Sequence, residues 1–222
     1  MRSIKWKRKN LKRHIDIFLR TIYLFHNKEF KKVTNRDCSI ISINCIGGVV
    51  CHELHLRFNS PTINLWFRTK DFLTFLTNLD YYLYNCELVQ DMKLSNQYMY
   101  PVGILGEIRI FFQHYKSFEE AKTKWIERTK RLHMDNLYIV MVQGDDCTEN
   151  DLVYFEKLDF KHKVCFTAKV YPEYPSTFFI KGSQKNASSV RNLCNHKGRL
   201  TGKFWLDEFD WVSFLNNKNE PL

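Results

Sequence analysis

Two apolar runs, Ser39 to Ile43 (SIISI) and Asn136 to Gln143 (NLYIVMVQ), constrain the fold of this chain more than any other feature. Both are uncharged and rich in β-branched or bulky residues, as buried strands are. Glycine-bearing segments follow them, Gly47-Gly48 after the first and Gly144-Asp145-Asp146 after the second. A helical pattern comes next in each case: Val49 to Phe58 repeats apolar residues at Val50, Leu54 and Phe58, and Thr148 to Leu158 opens with Thr148 and Asp151 in capping positions.

The same reading assigns helices to Lys70–Asn85, to Ser117–His133, where Ser117 and Glu120 form a capping-box pattern, and to Asp207–Leu215. Leu105–Gln113 reads as a strand, and so do Lys163–Tyr171 and Thr177–Lys181, joined by a turn from Pro172 to Pro175. Strands alternating with helices at this spacing predict an α/β fold, with a mainly parallel sheet flanked by helices in Rossmann-like layering. Residues 36–222 form the single α/β domain on this reading, and residues 1–35 a basic N-terminal helix or arm.

At 222 residues the chain holds one domain of ordinary size. Its seven cysteines are odd in number and lack paired spacing, and no secretory leader is recognisable, so a reducing, cytoplasmic location is expected. The longest uncharged run, Cys38 to Cys51, is short of the roughly 20 apolar residues that a membrane-spanning helix needs.

The net charge of +10 is unevenly distributed. Residues 1–37 hold twelve Lys or Arg against three acids, and the rest of the chain holds twenty-two against twenty-one. A nucleic-acid reader spreads basic residues over a folded face, so the nearly neutral remainder argues against nucleic acid as a partner. Within the basic segment, Leu11, Ile15, Phe18, Ile22 and Phe25 form the stripe of an amphipathic helix, preceded by Lys5-Trp6-Lys7-Arg8-Lys9. Packing of that stripe on the domain is the first expectation. Peripheral contact with an anionic membrane, at the inner face of the cell membrane, is the second.

Cys45 is the leading candidate for chemistry. It falls at the carboxyl end of the first strand, just before the glycines and the helix, where outward-pointing amides favour an anion and stabilise a thiolate. His52 and His55 follow on the helix, and His114 lies just past a strand and just before the Ser117 cap, each a candidate base. If their strands are parallel neighbours, Cys45, His114 and the Asp145-Asp146 pair share one sheet edge. Blander readings accompany each: a buried structural Cys, a loop His bonded to backbone, a polar Gly-Asp-Asp turn, and a solvated face for Arg128 and Arg131. The histidines of His52-Glu53-Leu54-His55 sit at i and i+3, one short of a zincin helix, and no metal site is expected. No motif identifies a cofactor, since the P-loop, the dinucleotide fingerprint and the Gly-x-Ser-x-Gly elbow are all missing.

The segments Ile41-Ser42-Ile43-Asn44-Cys45-Ile46-Gly47-Gly48, Asn59-Ser60-Pro61-Thr62-Ile63-Asn64 and Tyr100-Pro101-Val102-Gly103 belong together with His114-Tyr115, Glu120-Ala121, Lys124-Trp125, Arg128 and Arg131. In this combination the chain resembles a bacterial family labelled exopolysaccharide or capsule biosynthesis protein, with a domain of unknown function, over about residues 36 to 215. Ile43 stands where that family typically shows a second Asn, and Ile46 where an aromatic is common. The resemblance implies a role in surface-polysaccharide assembly, with a carbohydrate or sugar precursor as partner and an acyl donor as the second partner of a transferase. The leading expectation is an acyl-type group transferase with Cys45 as nucleophile and His114 or His52 moving the proton. Asn44, Gly47, Gly48, Asn64, Tyr115, Asp145 and Arg128 are the candidate substrate-binding residues. A cysteine-dependent hydrolase on the same site is one alternative. The other is a non-catalytic carbohydrate-binding or scaffold protein, in which Asn44, Asn64, Trp66 and Tyr115 contact sugar.

Overall fold

The computed structural model describes the backbone of residues 2–198 and 200–216 and the side chains from residue 14 onward, residue 199 excepted. Helix α1 (Arg2–Asn27) leads to strand β1 (Ser39–Ser42), followed by helices α2 (Ile46–Glu53) and α3 (Thr69–Thr77). A small lobe comes next, made of β2 (Leu88–Gln90), α4 (Met92–Tyr98), β3 (Val102–Leu105) and β4 (Ile108–Phe111). Helix α5 (Phe118–Thr129) then carries the chain to β5 (Leu137–Val142), α6 (Glu149–Lys157), β6 (His162–Thr167) and β7 (Thr177–Phe179). A ribbon of β8 (Gln184–Asn186) and β9 (Ser189–Val190) precedes the closing helix α7 (Trp211–Asn216).

The fold is α/β, as the apolar runs predict. The main sheet has the order β1-β5-β6-β7 and every pair in it is parallel. Every residue of β1 and β5 is buried, so the uncharged runs mark strands covered on both faces. Strands β2, β3 and β4 form a separate antiparallel sheet. Among the helices, α5 begins at the Ser117 cap, and α6 carries a complete capping box between Thr148 and Asp151.

Four elements differ from their sequence-based outlines. Leu105–Gln113 is not one strand but the end of β3, a turn and β4, with Gly106 at φ 61 between them. The Lys70–Asn85 helix breaks at Asn78, and one π-helical turn, Tyr81–Asn85, follows. The Asp207–Leu215 helix divides into a 3-10 turn, Trp205–Glu208, and α7, whereas β6 and β7 keep the expected parallel pairing despite a short link, because Thr177 pairs with Cys165 midway along β6. Helix α2 includes the glycines instead of following them. A Cβ at position 47 would lie 2.6 Å from Ser42 Oγ, and one at position 48 would lie 3.3 Å from Asn64 Oδ1, so Gly-Gly lets α2 start against β1 and the 62–64 loop.

Helix α1 is turned opposite to the first expectation. Phe18 and Phe25 are 64% and 69% exposed, and Ile15 and Ile22 are exposed too. The buried face carries Arg20, whose Nε and Nη2 donate to both Glu53 carboxylate oxygens at 2.8 and 2.5 Å, while Nη1 and Nη2 donate to Asp207 at 2.5 and 2.9 Å. Burial opposes the charge on Arg20, but the hydrogen bonds with Asp207 and Glu53 outweigh it and hold the guanidinium more firmly protonated. Two-sided pairing of one buried cation therefore sets the rotation of α1, and the apolar stripe is left outside. The Lys5–Lys9 cluster and Leu11 lie outside the described side chains.

Candidate functional site

The carboxyl end of β1 is built by short-range hydrogen bonds. Ser42 Oγ donates to the Asn44 carbonyl at 2.6 Å and accepts the Gly47 amide at 3.1 Å, while Asn44 Oδ1 accepts the Ile46 amide at 3.1 Å. Two of the orphan amides that open α2 are thereby satisfied within the chain. Cys45 is the N-cap residue of α2, half-buried, with its Sγ 4.0 Å from the Leu65 carbonyl. Burial raises its thiol above the ordinary range, and a backbone hydrogen bond only partly offsets this. The Ile46 and Gly47 amides, expected to favour a thiolate, are taken by the Asn44 and Ser42 side chains, so burial prevails and the protonated thiol of Cys45 is favoured.

Cys45 lines a cleft of about 880 Å³ at the carboxyl ends of β1 and β5. Asn44, His114, Asp145 and Asp146 line the same cleft. Cys45, His114 and the two aspartates were expected on one edge of a single parallel sheet if their strands were neighbours, but β4, which leads to His114, belongs to the antiparallel sheet. The two sheets meet through the segment 66–67. Trp66 and Phe111 exchange backbone hydrogen bonds of 2.9 Å in both directions, and the Phe67 amide donates to the Ile43 carbonyl at 2.9 Å. Trp66 stacks on Phe111 with ring centroids 3.9 Å apart and contributes to the cleft wall.

The two aspartates are engaged with their own chain. Asp145 pairs with Lys185 and accepts from Ser189 Oγ at 2.7 Å, and the Lys185 hydrogen bond holds its carboxyl below the usual range. Asp146 accepts from the Thr69 amide and hydroxyl at the start of α3.

The remaining candidates are not brought to the cleft. His52 is exposed near the far end of α2, about 10 Å along the helix from Cys45 at 1.5 Å per residue. His55 stacks on Phe30, with centroids 4.3 Å apart. Asn64 is exposed at φ 64 and does not line the cleft. Tyr115 and Arg128 are buried, and both donate to the Ile63 carbonyl, at 2.8 and 3.3 Å, with Arg128 also donating to Tyr115 Oη at 2.5 Å. They fasten the Asn59–Asn64 loop instead of facing a ligand. That loop in turn covers the free edge of β1, where Thr62 Oγ1 accepts the Ser42 amide at 3.0 Å. Gly47 and Gly48 are buried in the α2 packing.

Residues that the sequence did not single out complete the walls: Arg68, Gln113, Arg191, Asn192 and Cys194. Arg68 immediately precedes α3, and Gln113 immediately precedes His114, so both were adjacent to recognised features. Arg191 and Asn192 follow β9, in a stretch without periodicity to read. Among the described residues no group of three or more His, Cys, Asp and Glu side chains is placed to hold a metal ion.

A family model described as "Domain of unknown function (DUF1919)" matches residues 18–216. The chain belongs to the DUF1919 family. The DUF1919 match runs from Phe18 on α1 to the end of α7, so it takes in the Arg20 ion pairs and the whole cleft. A Haemophilus influenzae protein that carries the description "Uncharacterized protein" is 42% identical over 188 residues, covering 84% of this DUF1919 chain and 88% of its own length.

Proposed function

We propose that this DUF1919 protein acts in surface-polysaccharide assembly, holding a sugar precursor in the cleft and transferring an acyl-type group to or from it through Cys45. The observation that carries the reading is the meeting of Cys45 with His114, which lie far apart in sequence, on one cleft at the carboxyl ends of β1 and β5. The polysaccharide context rests on the resemblance of the Ile41–Gly48 and Asn59–Asn64 segments to exopolysaccharide and capsule biosynthesis proteins.

Burial disfavours the Cys45 thiolate, so the thiol needs a base at the moment of attack. His114 takes the Sγ proton as sulfur bonds to the acyl carbon of an activated ester or thioester donor, then returns it to the departing group, which leaves a thioester on Cys45. An acceptor hydroxyl attacks that carbon, gives its proton to His114, and the thiol is restored as the proton returns to sulfur. Water in place of the sugar hydroxyl makes the same cycle a hydrolysis. The carboxamides of Gln113 and Asn192 are hydrogen-bond donors on the cleft wall, and Trp66 supplies an aromatic surface for a sugar ring.

Burial of Cys45 favours a second reading, in which the cleft binds carbohydrate without chemistry and the thiol only packs. Intact-mass analysis after incubation with an activated acyl ester separates the two. Transfer predicts one acyl adduct on Cys45, lost in Cys45→Ala and slowed in His114→Ala. Absence of the adduct, together with unchanged surface polymer in a Cys45→Ala strain that makes normal amounts of protein, overturns transfer and leaves binding.

A further inference from the structure

We infer that α1 is a membrane-docking helix whose outward face rests on an anionic lipid surface. The face is defined by Ile15, Phe18, Ile22 and Phe25, repeating at three- and four-residue steps and exposed by 42, 64, 38 and 69%. Helical periodicity places them on the side opposite Arg20, which is only 7% exposed and tied to Glu53 on α2 and to Asp207. The ion pairs fix the rotation of α1, so the outward stripe is a constructed surface and not the result of a loosely attached helix. No helix among the described residues is long and apolar enough to cross a membrane, so α1 lies along the surface.

Charge decides the occupant. Residues 1–37 carry twelve basic residues against three acids, while the rest of the chain is close to balanced at twenty-two against twenty-one. A second copy of the chain docked through this stripe would bring two strongly basic segments together. A bilayer rich in anionic headgroups supplies the opposite charge and an apolar layer beneath it. The inference is independent of the chemistry proposed for Cys45, because it uses no residue of the cleft.

The test is co-sedimentation of the full-length protein with vesicles of phosphatidylcholine alone and of phosphatidylcholine mixed with phosphatidylglycerol. The expected result is binding to the mixed vesicles only, weakened by added salt, with affinity falling by about tenfold or more in the Phe18→Ser, Phe25→Ser double variant. Both phenylalanines are exposed, so an unchanged melting temperature in the double variant establishes that folding is intact. Failure to sediment with either vesicle overturns the inference. So does binding that the double variant leaves unaltered, which would assign attraction to the basic residues alone. A dimer in solution that the double variant dissolves would assign the stripe to a second copy instead. Acyl labelling of Cys45 in the same variant reports on the cleft separately.

Discussion

Asp146 caps α3 at the cleft wall: its two carboxylate oxygens accept the amide and the hydroxyl of Thr69, each at 2.9 Å. Thr69 is the first residue of α3, so the contact satisfies an amide that has no partner within the helix and sets a negative charge at the positive end of the helix dipole. Asp146→Ala is expected to lower stability by about 1 kcal/mol, read from the urea midpoint. Asp146→Asn keeps an acceptor and should lose less.

Arg20, Glu53 and Asp207 form a buried group of one cation and two anions, with side chains 9 to 13% exposed. Removing the cation strands two carboxylates away from water. Arg20→Ala is expected to cost about 3 kcal/mol or more, measured by chemical denaturation. The triple change Arg20→Met, Glu53→Gln, Asp207→Asn removes all three charges together and should cost less than the single substitution.

Gly202 sits at φ 66, and a Cβ there would lie 2.2 Å from the Leu19 carbonyl oxygen on α1. Backbone cannot retreat as a flexible side chain can. Gly202→Ala is expected to lift α1 from the domain, with a loss above about 1 kcal/mol from the left-handed backbone alone. Faster proteolytic release of the N-terminal helix, with the core left intact, is the readout.

Alkaline pH should destabilise the protein when its thiols are kept reduced. Burial pushes the Cys147 and Cys194 thiols up to about 12 and raises those of Cys51 and Cys165 as well. Their folded values exceed the unfolded one, so the contribution is complete below the unfolded thiol pKa near 8.5 and is lost as pH rises towards the folded values. The slope is at most about 1.4 kcal/mol per pH unit for each thiol. The urea midpoint should fall between about pH 7.5 and about pH 9.5, and Cys165→Ala should flatten the dependence.

What was legible in the sequence was whatever is encoded within a few residues. The uncharged runs at Ser39–Ile43 and Asn136–Gln143 locate β1 and β5, and Ser117 and Thr148 locate the starts of α5 and α6, because burial on two faces and capping each leave a local mark. The Val102–Phe111 hairpin was hidden because its turn at Gly106-Glu107 is absorbed into an alternation of charge and bulk that runs on through Ile110. The orientation of α1 was hidden for a different reason. A stripe of apolar residues ordinarily marks the inner face, but the partners of Arg20 lie 33 and 187 positions away, and their pairing overrides the stripe. In the site, Asn44, Cys45, His114 and Asp145 reach the cleft, whereas Tyr115 and Arg128 carry polar groups that look equally suited to a ligand and serve the Ile63 carbonyl instead.

The backbone seam at residues 66–67 has a consequence for how the cleft can vary. Trp66 is laced to Phe111 on one side and Phe67 to Ile43 on the other through main-chain atoms, so the gap between the Cys45 wall and the His114 wall is dimensioned by peptide geometry and not by the girth of any side chain. Exchanging a wall residue repaints the cavity without moving its supports. A chain built this way can change what it accommodates, substitution by substitution, while the distance across the opening stays the same.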